Sequence, residues 1–382
     1  MKKLTVVIVS YNVKYYLEQC IASVLAAAQD IDYEIYVVDN DSKDDTVHHL
    51  HRRFGEQITI IESQHNLGFA RANNIAIRQT ESEYVLLLNP DTFISEDSLR
   101  QVLDFMDQHP QAGGVGVRML NSDGSTARES RRGLPTPWVS FQKMLGFSRR
   151  YYLSDLSWTE PGRIDVMSGA FCMLRREALD KIGLLDEDFF MYGEDIDLSY
   201  RILKGGYENW YVPVSIVHYK GESTQKSSFR YVHVFYQAML IFFRKHYSHL
   251  SFIVTLPIKF SIYFRALIAL IQMQSYRMRR SLGFYRQENT DVKYHFVGSE
   301  TMINQCRKLS RRKGLTSTFQ TTRSLADVKL SPEPNTCIVY DVEQFSFQQI
   351  IDKVSAYTDN HTTIGTYSSK SKTLITPTEI IR

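Results

Sequence analysis

LTVVIVSYN, residues 4–12, sets the reading of the whole chain: Leu4–Val9 are apolar or β-branched without a break, and the polar Ser10–Tyr11–Asn12 follows at once. A run of strand length with no polar alternation suits a strand buried on both faces, as in parallel sheets. The apolar stretch is too short for the core of a secretory leader and ends in a polar turn, so a buried first strand is expected. Beyond it the period changes. Val13, Leu17, Cys20, Val24 and Ala28 fall on one helical face, and YEIYVVD at 33–39 is a second strand. A helix is expected over 44–54 with Asp44 as its cap, a third strand over 58–62, and a short helix with Phe69, Ala72 and Ala76 on one side. YVLLL at 84–88 is a fourth strand running into Asn89–Pro90–Asp91, and Leu99, Val102, Leu103 and Met106 mark another helix. This alternation implies an α/β fold, a mostly parallel sheet flanked by helices. Ligands of such sheets bind beyond the carboxyl ends of the strands, so the polar residues just after them are the candidates.

With 382 residues, two domains are the default expectation. Hydrophobic content of 43% and charged content of 23% are those of a folded globular protein, and a net charge of +3 does not itself specify a partner. Cys20, Cys172, Cys306 and Cys337 are scattered, which argues against a disulfide framework or zinc knuckle and for a reducing compartment. Residues 121–163, rich in Gly, Pro, Ser and Arg, read as loops and an excursion over the active face; 165–219 return to a globular pattern. Residues 220–290 hold eleven Lys or Arg against two Glu, interleaved with the apolar stretches Phe235–Phe243 and Phe252–Met273. The second stretch has spanning length, but Pro257, Lys259 and Arg265 interrupt it, and a charge at the bilayer centre costs about 2.5–3.5 kcal/mol on insertion scales. A basic amphipathic helix lying in the membrane interface is the better reading, with Arg277–Arg280 adding charge; a helical packing surface or dimer interface is the alternative. From 292 strand and helix alternate again. The division expected is 1–225, 226–288 as the basic amphipathic helices, and 289–382 as a small C-terminal α/β module without a readable motif.

Five places could carry chemistry. No glycine lies between Leu4 and Asn40, so the Gly-rich turn of a dinucleotide fold is missing after the first strand, and Ser10–Tyr11–Asn12 is either a plain turn or part of a pocket. Asp39, ending the second strand, can accept from a base or ribose; helix capping within the acidic loop that follows is the plainer role. Asp91 is placed to hold a hard cation against a diphosphate, where a proline turn is the alternative. Glu194 and Asp195 open a helix, which the helix dipole alone would favour. The preceding Phe-Phe-Met-Tyr-Gly could shield a carboxylate enough to make it a general base. His218 ends a strand, and a lone histidine there is more often structural.

Taken together, VVIVSYN, YEIYVVDNDSKDDT, NLGFARANN, YVLLLNPD, SGAFCMLRREAL, DEDFFMYGEDIDLSYRI and VHYKGEST resemble, in order and over roughly residues 3–225, family 2 glycosyltransferases of the GT-A fold, in particular the rhamnosyltransferase-like branch. The resemblance implies that Ser10, Tyr11, Asn12 and Asp39 line a nucleoside pocket, and that Asn66, Arg71 and Asn73 contact the nucleotide and its phosphates. It further implies Gly169 against donor and acceptor, Asp195 as catalytic base with Glu194 beside it, and Asp91 with His218 on a divalent metal, Mg²⁺ or Mn²⁺. Asn89 stands where the family's DxD motif has its first acid, so the metal would rest on Asp91, His218 and the diphosphate. The activity implied is inverting transfer of a sugar, rhamnose on branch resemblance, from a nucleoside-diphosphate sugar to a glycan or lipid-linked acceptor in cell-surface polysaccharide synthesis. The expected setting is cytoplasmic, peripheral at the inner leaflet of the cell membrane, with no nucleic-acid partner and with a homo-oligomer left open. A nucleotidyltransferase, or a sugar-nucleotide-binding scaffold without turnover, is the competing reading.

Overall fold

The computed structural model describes residues 2–219, 229–248, 292–328, 335–357 and 362–382, with helical positions 256, 260, 263, 264, 267, 268, 271, 274, 275 and 278 between. The first strand, β1 (Leu4–Ser10), is buried throughout and pairs in parallel with β2 (Tyr33–Asp39) and β4 (Tyr84–Leu88); β3 (Thr59–Glu62) extends the sheet beyond β2. Helix α1 (Lys14–Ala27) buries Leu17, Cys20 and Val24 as the spacing predicts. Helix α2 begins at Thr46, two residues later than expected. Asp44 does not cap it, because its carboxylate accepts from the Lys14 N–H and the Thr46 hydroxyl, while Asp45 holds the cap position with φ 64°. Helices α3 (Phe69–Ile77) and α4 (Ser98–Gln108) follow the expected positions.

Beyond β4 the sheet becomes mixed. Its order is β3-β2-β1-β4-β8-β6-β9-β5, with β7 (Gly162–Ile164) also on β9. Here β5 is Thr92–Ile94, β6 Ala112–Leu120, β8 Phe171–Arg175 and β9 Glu208–His218. Strand β8 runs antiparallel to both β4 and β6, whereas β6 and β9 are parallel. The chain leaves β1 towards β2 and β3, then returns to its other side at β4, so the topological switch point lies between Ser10–Asn12 and Asn89–Asp91.

Residues 121–163 are not all loop. Thr136 caps a helix, α5 (Pro137–Met144), with Pro137 in its first turn, an arrangement that favours helix initiation. Further on come α6 (Arg176–Ile182), α7 (Glu194–Lys204) and α8 (Phe229–His246). The apolar stretch Phe235–Phe243 lies in α8, and it packs inward: Ala238, Phe242 and Phe243 are buried with Phe189, Ile196 and Val166. The larger part of Phe252–Met273, including Pro257, Lys259 and Arg265, and all three charges of the Arg277–Arg280 stretch, Arg277, Arg279 and Arg280, lie outside the described residues. Among the described residues no helix is long and apolar enough to cross a membrane.

The second sheet has the order β11-β10-β12-β13-β14-β15 and is parallel from β11 to β13. Its strands are Lys293–Gly298, Ser317–Thr321, Thr336–Asp341, Thr362–Ser368, Thr373–Ile375 and Ile380–Ile381 in chain order, with helices α9 (Glu300–Lys313) and α10 (Phe347–Ser355). The two sheets share one apolar cluster, in which Tyr16, Phe93, Val217 and Tyr219 meet Tyr340 and Phe347. Glu96 accepts from the Phe347 and Gln348 N–H groups at 2.7 and 2.8 Å, placing a carboxylate at the positive end of α10. The C-terminal module therefore packs directly against the strand that ends in His218.

Candidate functional site

A cavity of about 310 Å³ opens at the switch point, lined by Val9 and Tyr11 from the end of β1, Asn40 from β2, and Asn89, Pro90 and Asp91 from β4. Its other walls include Asn66 and Gly68, Ser168 and Gly169, and Glu194 and Asp195 with His218. Asp91 and Asp195 thus face one cavity although 104 residues separate them. The antiparallel register of β5 on β9 sets Thr92 opposite His218, and this pairing brings the histidine to Asp91. His218 Nε2 lies 3.2 Å from Asp91 Oδ1 and 3.5 Å from Asn89 Nδ2, while His218 Nδ1 is buried with no hydrogen-bond partner among the described residues.

The first turn of α7 carries both acidic candidates. Gly193 precedes it at φ 92°, and a Cβ there would stand 3.0 Å from the Phe189 ring, so glycine is needed to begin the helix at this point. Asp195 Oδ2 accepts from Arg132 Nη2 at 2.5 Å, and its Oδ1 accepts from the Ile196 N–H at 2.8 Å. Arg132 is 11% exposed at its side chain and also donates to the Met167 carbonyl, so the excursion grips the acidic helix from above. Glu194 differs in environment. Its Oε2 is buried with no hydrogen-bond partner among the described residues, and burial, with the Asp195 charge adding to it, pushes its carboxyl up to about 8. The raised proton affinity expected of a shielded carboxylate resides in Glu194, while Asp195 is the oriented one.

A stability test follows from this. The folded-state value for Glu194 lies above the ordinary carboxylate range, so its favourable contribution is complete below pH 4.5 and is lost as pH rises through about 8. Glu194→Gln mimics the protonated side chain. Its melting temperature is expected to match the parent at pH 4 and to exceed it increasingly from about pH 5 to 8, the gap growing by up to about 1.4 kcal/mol per pH unit and levelling off above about 8. Parallel melting curves across that range would refute the assignment.

Not every expected residue reaches the cavity. Ser10 is buried with its hydroxyl unpartnered among the described residues, and Asn12, at φ 55°, ties the turn after β1 to the one after β2 through Ser42 and Lys43. Asp39 accepts from the Ser42 N–H at 2.9 Å and lines a separate hollow with Asp41, Ser42 and Asp45. Arg71 is 59% exposed and lies 3.9 Å from Glu187, outside the cavity lining; Asn73 turns back to donate to the Phe69 carbonyl. Helical phase explains both, since α3 points Asn73 inward and Arg71 to solvent. Sequence reasoning also missed residues. Asn40 accepts from Leu67 N–H and donates to Asn66, fixing the 66–68 turn against β2; its position directly after Asp39 was the available signal. Arg132 had none, being one of seven arginines or lysines between 128 and 163.

The mixed α/β layer thus carries an acidic cavity at its switch point. Residues 5–183 match the family model described as Glycosyl transferase family 2. N-acetylglucosaminyl-diphospho-decaprenol L-rhamnosyltransferase of Mycobacterium tuberculosis is 28% identical over 266 residues, 64% of this chain and 85% of that protein. Poly-beta-1,6-N-acetyl-D-glucosamine synthase of Staphylococcus aureus is 24% identical over 218 residues, 56% of this chain and 49% of that one, so the chain spans about half its length. Among solved structures, the mannosyltransferase PcManGT from Pyrobaculum calidifontis in complex with GDP-Man and Mn²⁺ has a TM-score of 0.46 at 18% identity, covering 75% of this chain and 81% of that one. Residues 1–349 of S. aureus TarS give 0.44 at 19% identity, covering 63% and 64%.

Proposed function

We propose that the chain transfers a sugar from a nucleoside-diphosphate donor to a hydroxyl of a lipid-linked or glycan acceptor in cell-wall polysaccharide synthesis, with inversion at the anomeric carbon. The observation that carries this is the facing of Asp91 and Asp195 across one cavity. The acceptor class rests on the printed activity of the mycobacterial relative, and rhamnose is the donor sugar it favours.

Asp195 takes the proton of the acceptor hydroxyl as its oxygen attacks the anomeric carbon, and the bond from that carbon to the diphosphate breaks on the opposite face. One in-line displacement inverts the centre. Arg132 and the Ile196 N–H fix the Asp195 carboxylate towards the attacking oxygen. Glu194, neutral below about pH 8, adds no second charge beside it. Asp91 and His218 suit a divalent cation, a carboxylate and an imidazole nitrogen 3.2 Å apart, with Asn89 beside them as a neutral donor. Such a cation neutralises the charge of the leaving diphosphate when bound. Tyr11, in the cavity wall, is the proposed nucleoside contact, and Ser10, Asn12 and Asp39, which lie outside the lining, are not given that role. Arg71, paired with Glu187 outside the lining, is not given the phosphate role.

Calorimetry tests the donor half. The wild-type chain is expected to bind deoxythymidine-diphosphate rhamnose more tightly with Mn²⁺ or Mg²⁺ than with a chelator, and Asp91→Ala to lose that difference by at least about ten-fold. Metal-independent binding by the wild type would remove Asp91 from the role.

Attachment to the cytoplasmic face of the membrane through residues 226–288 is part of the same reading, with helix α8 itself excepted because its apolar side is consumed in the core. Supporting it, Leu256, Phe260, Tyr263, Phe264, Leu267 and Ile271 are between 52% and 73% exposed, at the i, i+4, i+7, i+8 spacing of one helical stripe.

A further inference from the structure

Helix α5 is turned inside out. Trp138, Phe141 and Leu145 recur at i, i+3 and i+7, the spacing of a buried face. They are instead 59%, 49% and 60% exposed, and Phe147, just past the helix, is 69% exposed. Trp138 and Phe141 stack on one another at 5.9 Å. The helix's cation points the other way: Lys143 Nζ lies 3.4 Å over the Tyr151 ring. Tyr151 in turn hydrogen-bonds to Arg132, the residue that holds Asp195. An exposed contiguous apolar stripe of this kind marks an interaction surface.

We infer that α5 and the turn after it form a second membrane contact, dipping Trp138, Phe141, Leu145 and Phe147 into the interfacial layer beside the mouth of the active cavity. This rests on the membrane-surface reading above. Charge selects the occupant. Arg128 and Arg150 are exposed on the same excursion, Arg149 is paired with Asp155, and with Lys143, Arg131 and Arg132 against Glu129 the stretch 128–155 keeps a positive excess that anionic lipid headgroups complement. The Leu256–Ile271 stripe is a second outward apolar surface, and a bilayer covers stripes from separate elements without needing a shaped partner. The excursion also supplies Glu129 to the cavity wall and Arg132 to Asp195. An acceptor whose lipid tail stays in the membrane would then present its sugar next to the base without leaving the bilayer.

Trp138 is its own probe. Trp158 lies against Arg131, at 3.3 Å from ring centre to guanidinium, and Trp210 packs against the core, so neither should respond to lipid. With the full chain and vesicles of phosphatidylethanolamine and phosphatidylglycerol, emission is expected to shift to the blue and be quenched by brominated lipid. Both effects should vanish in Trp138→Phe. Trp138→Ser with Phe141→Ser is expected to weaken vesicle binding by about ten-fold or more, while activity on a short soluble acceptor is unchanged. Vesicle binding with unaltered Trp138 emission, and equal binding by the double variant, overturns the role of α5 and leaves attachment through 226–288 standing. Absence of any vesicle binding overturns both. A Trp138 response that follows protein concentration without lipid assigns the stripe to a second copy of the chain and overturns the inference.

Discussion

Asp195→Asn is expected to lower turnover by about 10²–10⁴-fold, the range general-base assistance supplies, while donor affinity stays within about three-fold. The amide keeps an oxygen for Arg132 and loses the ability to take a proton at neutral pH, so geometry survives and proton transfer does not. The loss should appear in kcat and in kcat/KM alike, because the missing interaction exists only as the acceptor oxygen attacks. Arg132 makes the control necessary. It is a deeply buried cation whose one carboxylate partner among the described residues is Asp195, so part of any loss could come from a loosened excursion. Melting temperature and donor calorimetry on the same preparation separate the two. Glu194→Gln sharpens the assignment further, since at pH 7 the parent side chain is already protonated and the substitution is close to isosteric and isoelectric. A large loss at Asp195 with a small one at Glu194 supports the proposed division of labour. The reverse ranking would give the proton to Glu194, and near-normal turnover by Asp195→Asn would remove it from the mechanism.

The parts of this site that could be read from sequence share a physical cause. Strand ends are legible because a buried parallel strand is an unbroken apolar run, and the polar residue that stops it must emerge at the sheet's rim. Tyr11, Asn89 and Asp91 were found that way, and all three line the cavity. The acid pair at 194 and 195 was legible because α7 opens with them behind a positive-φ glycine. Helical phase was less legible. NLGFARANN supplied Asn66 to the wall but sent Arg71 to Glu187 and Asn73 into its own helix, and nothing in nine residues fixes the rotation of a two-turn helix on a sheet. Arg132 was invisible for a different reason. Its role comes from a loop crossing the sheet, so its contact with Asp195 spans 63 residues and leaves no periodic trace. Helix α5 misled the reading, because Gly, Pro and Ser around it suggest loop and its apolar spacing faces outward. The resemblance covers about residues 3–225 and so offered nothing on the C-terminal sheet, where the alternation of strand and helix was legible from 292 onward but the half-exposed β11 and the two-residue β15 were not.

Asp197→Ala should be among the most destabilising single changes in the chain, costing about 3 kcal/mol at pH 7, the lower end of what removing one partner of a buried ion pair costs. The carboxylate is fully buried and meets two cations and an imidazole: Arg201 Nε at 2.7 Å, Lys245 Nζ at 2.9 Å and His246 Nε2 at 2.7 Å. Two of these come from α8, so Asp197 is the polar bolt between that helix and the one bearing Glu194 and Asp195. The lower end applies because the cations are not all orphaned. Arg201 keeps the carbonyls of Ile182, Gly183 and Leu184, and Lys245 keeps Asp186. The pH dependence gives an independent check. Burial alone would raise the Asp197 carboxyl, but His246, Arg201 and Lys245 outweigh it and hold the group down to about 2. A depressed folded-state value means the stabilisation is complete above pH 3.8 and is lost as pH falls through about 2. The difference in denaturant midpoint between parent and variant should therefore stay constant from pH 7 to about 4 and shrink only below that. Because α8 presses Phe242 and Phe243 onto Ile196, loosening it frees the first turn of α7 as well. The variant is expected to lose acceptor turnover even at temperatures where it remains folded. A stability within about 0.5 kcal/mol of the parent, the range of ordinary surface changes, would mean that the α7–α8 contact is held by its apolar side alone.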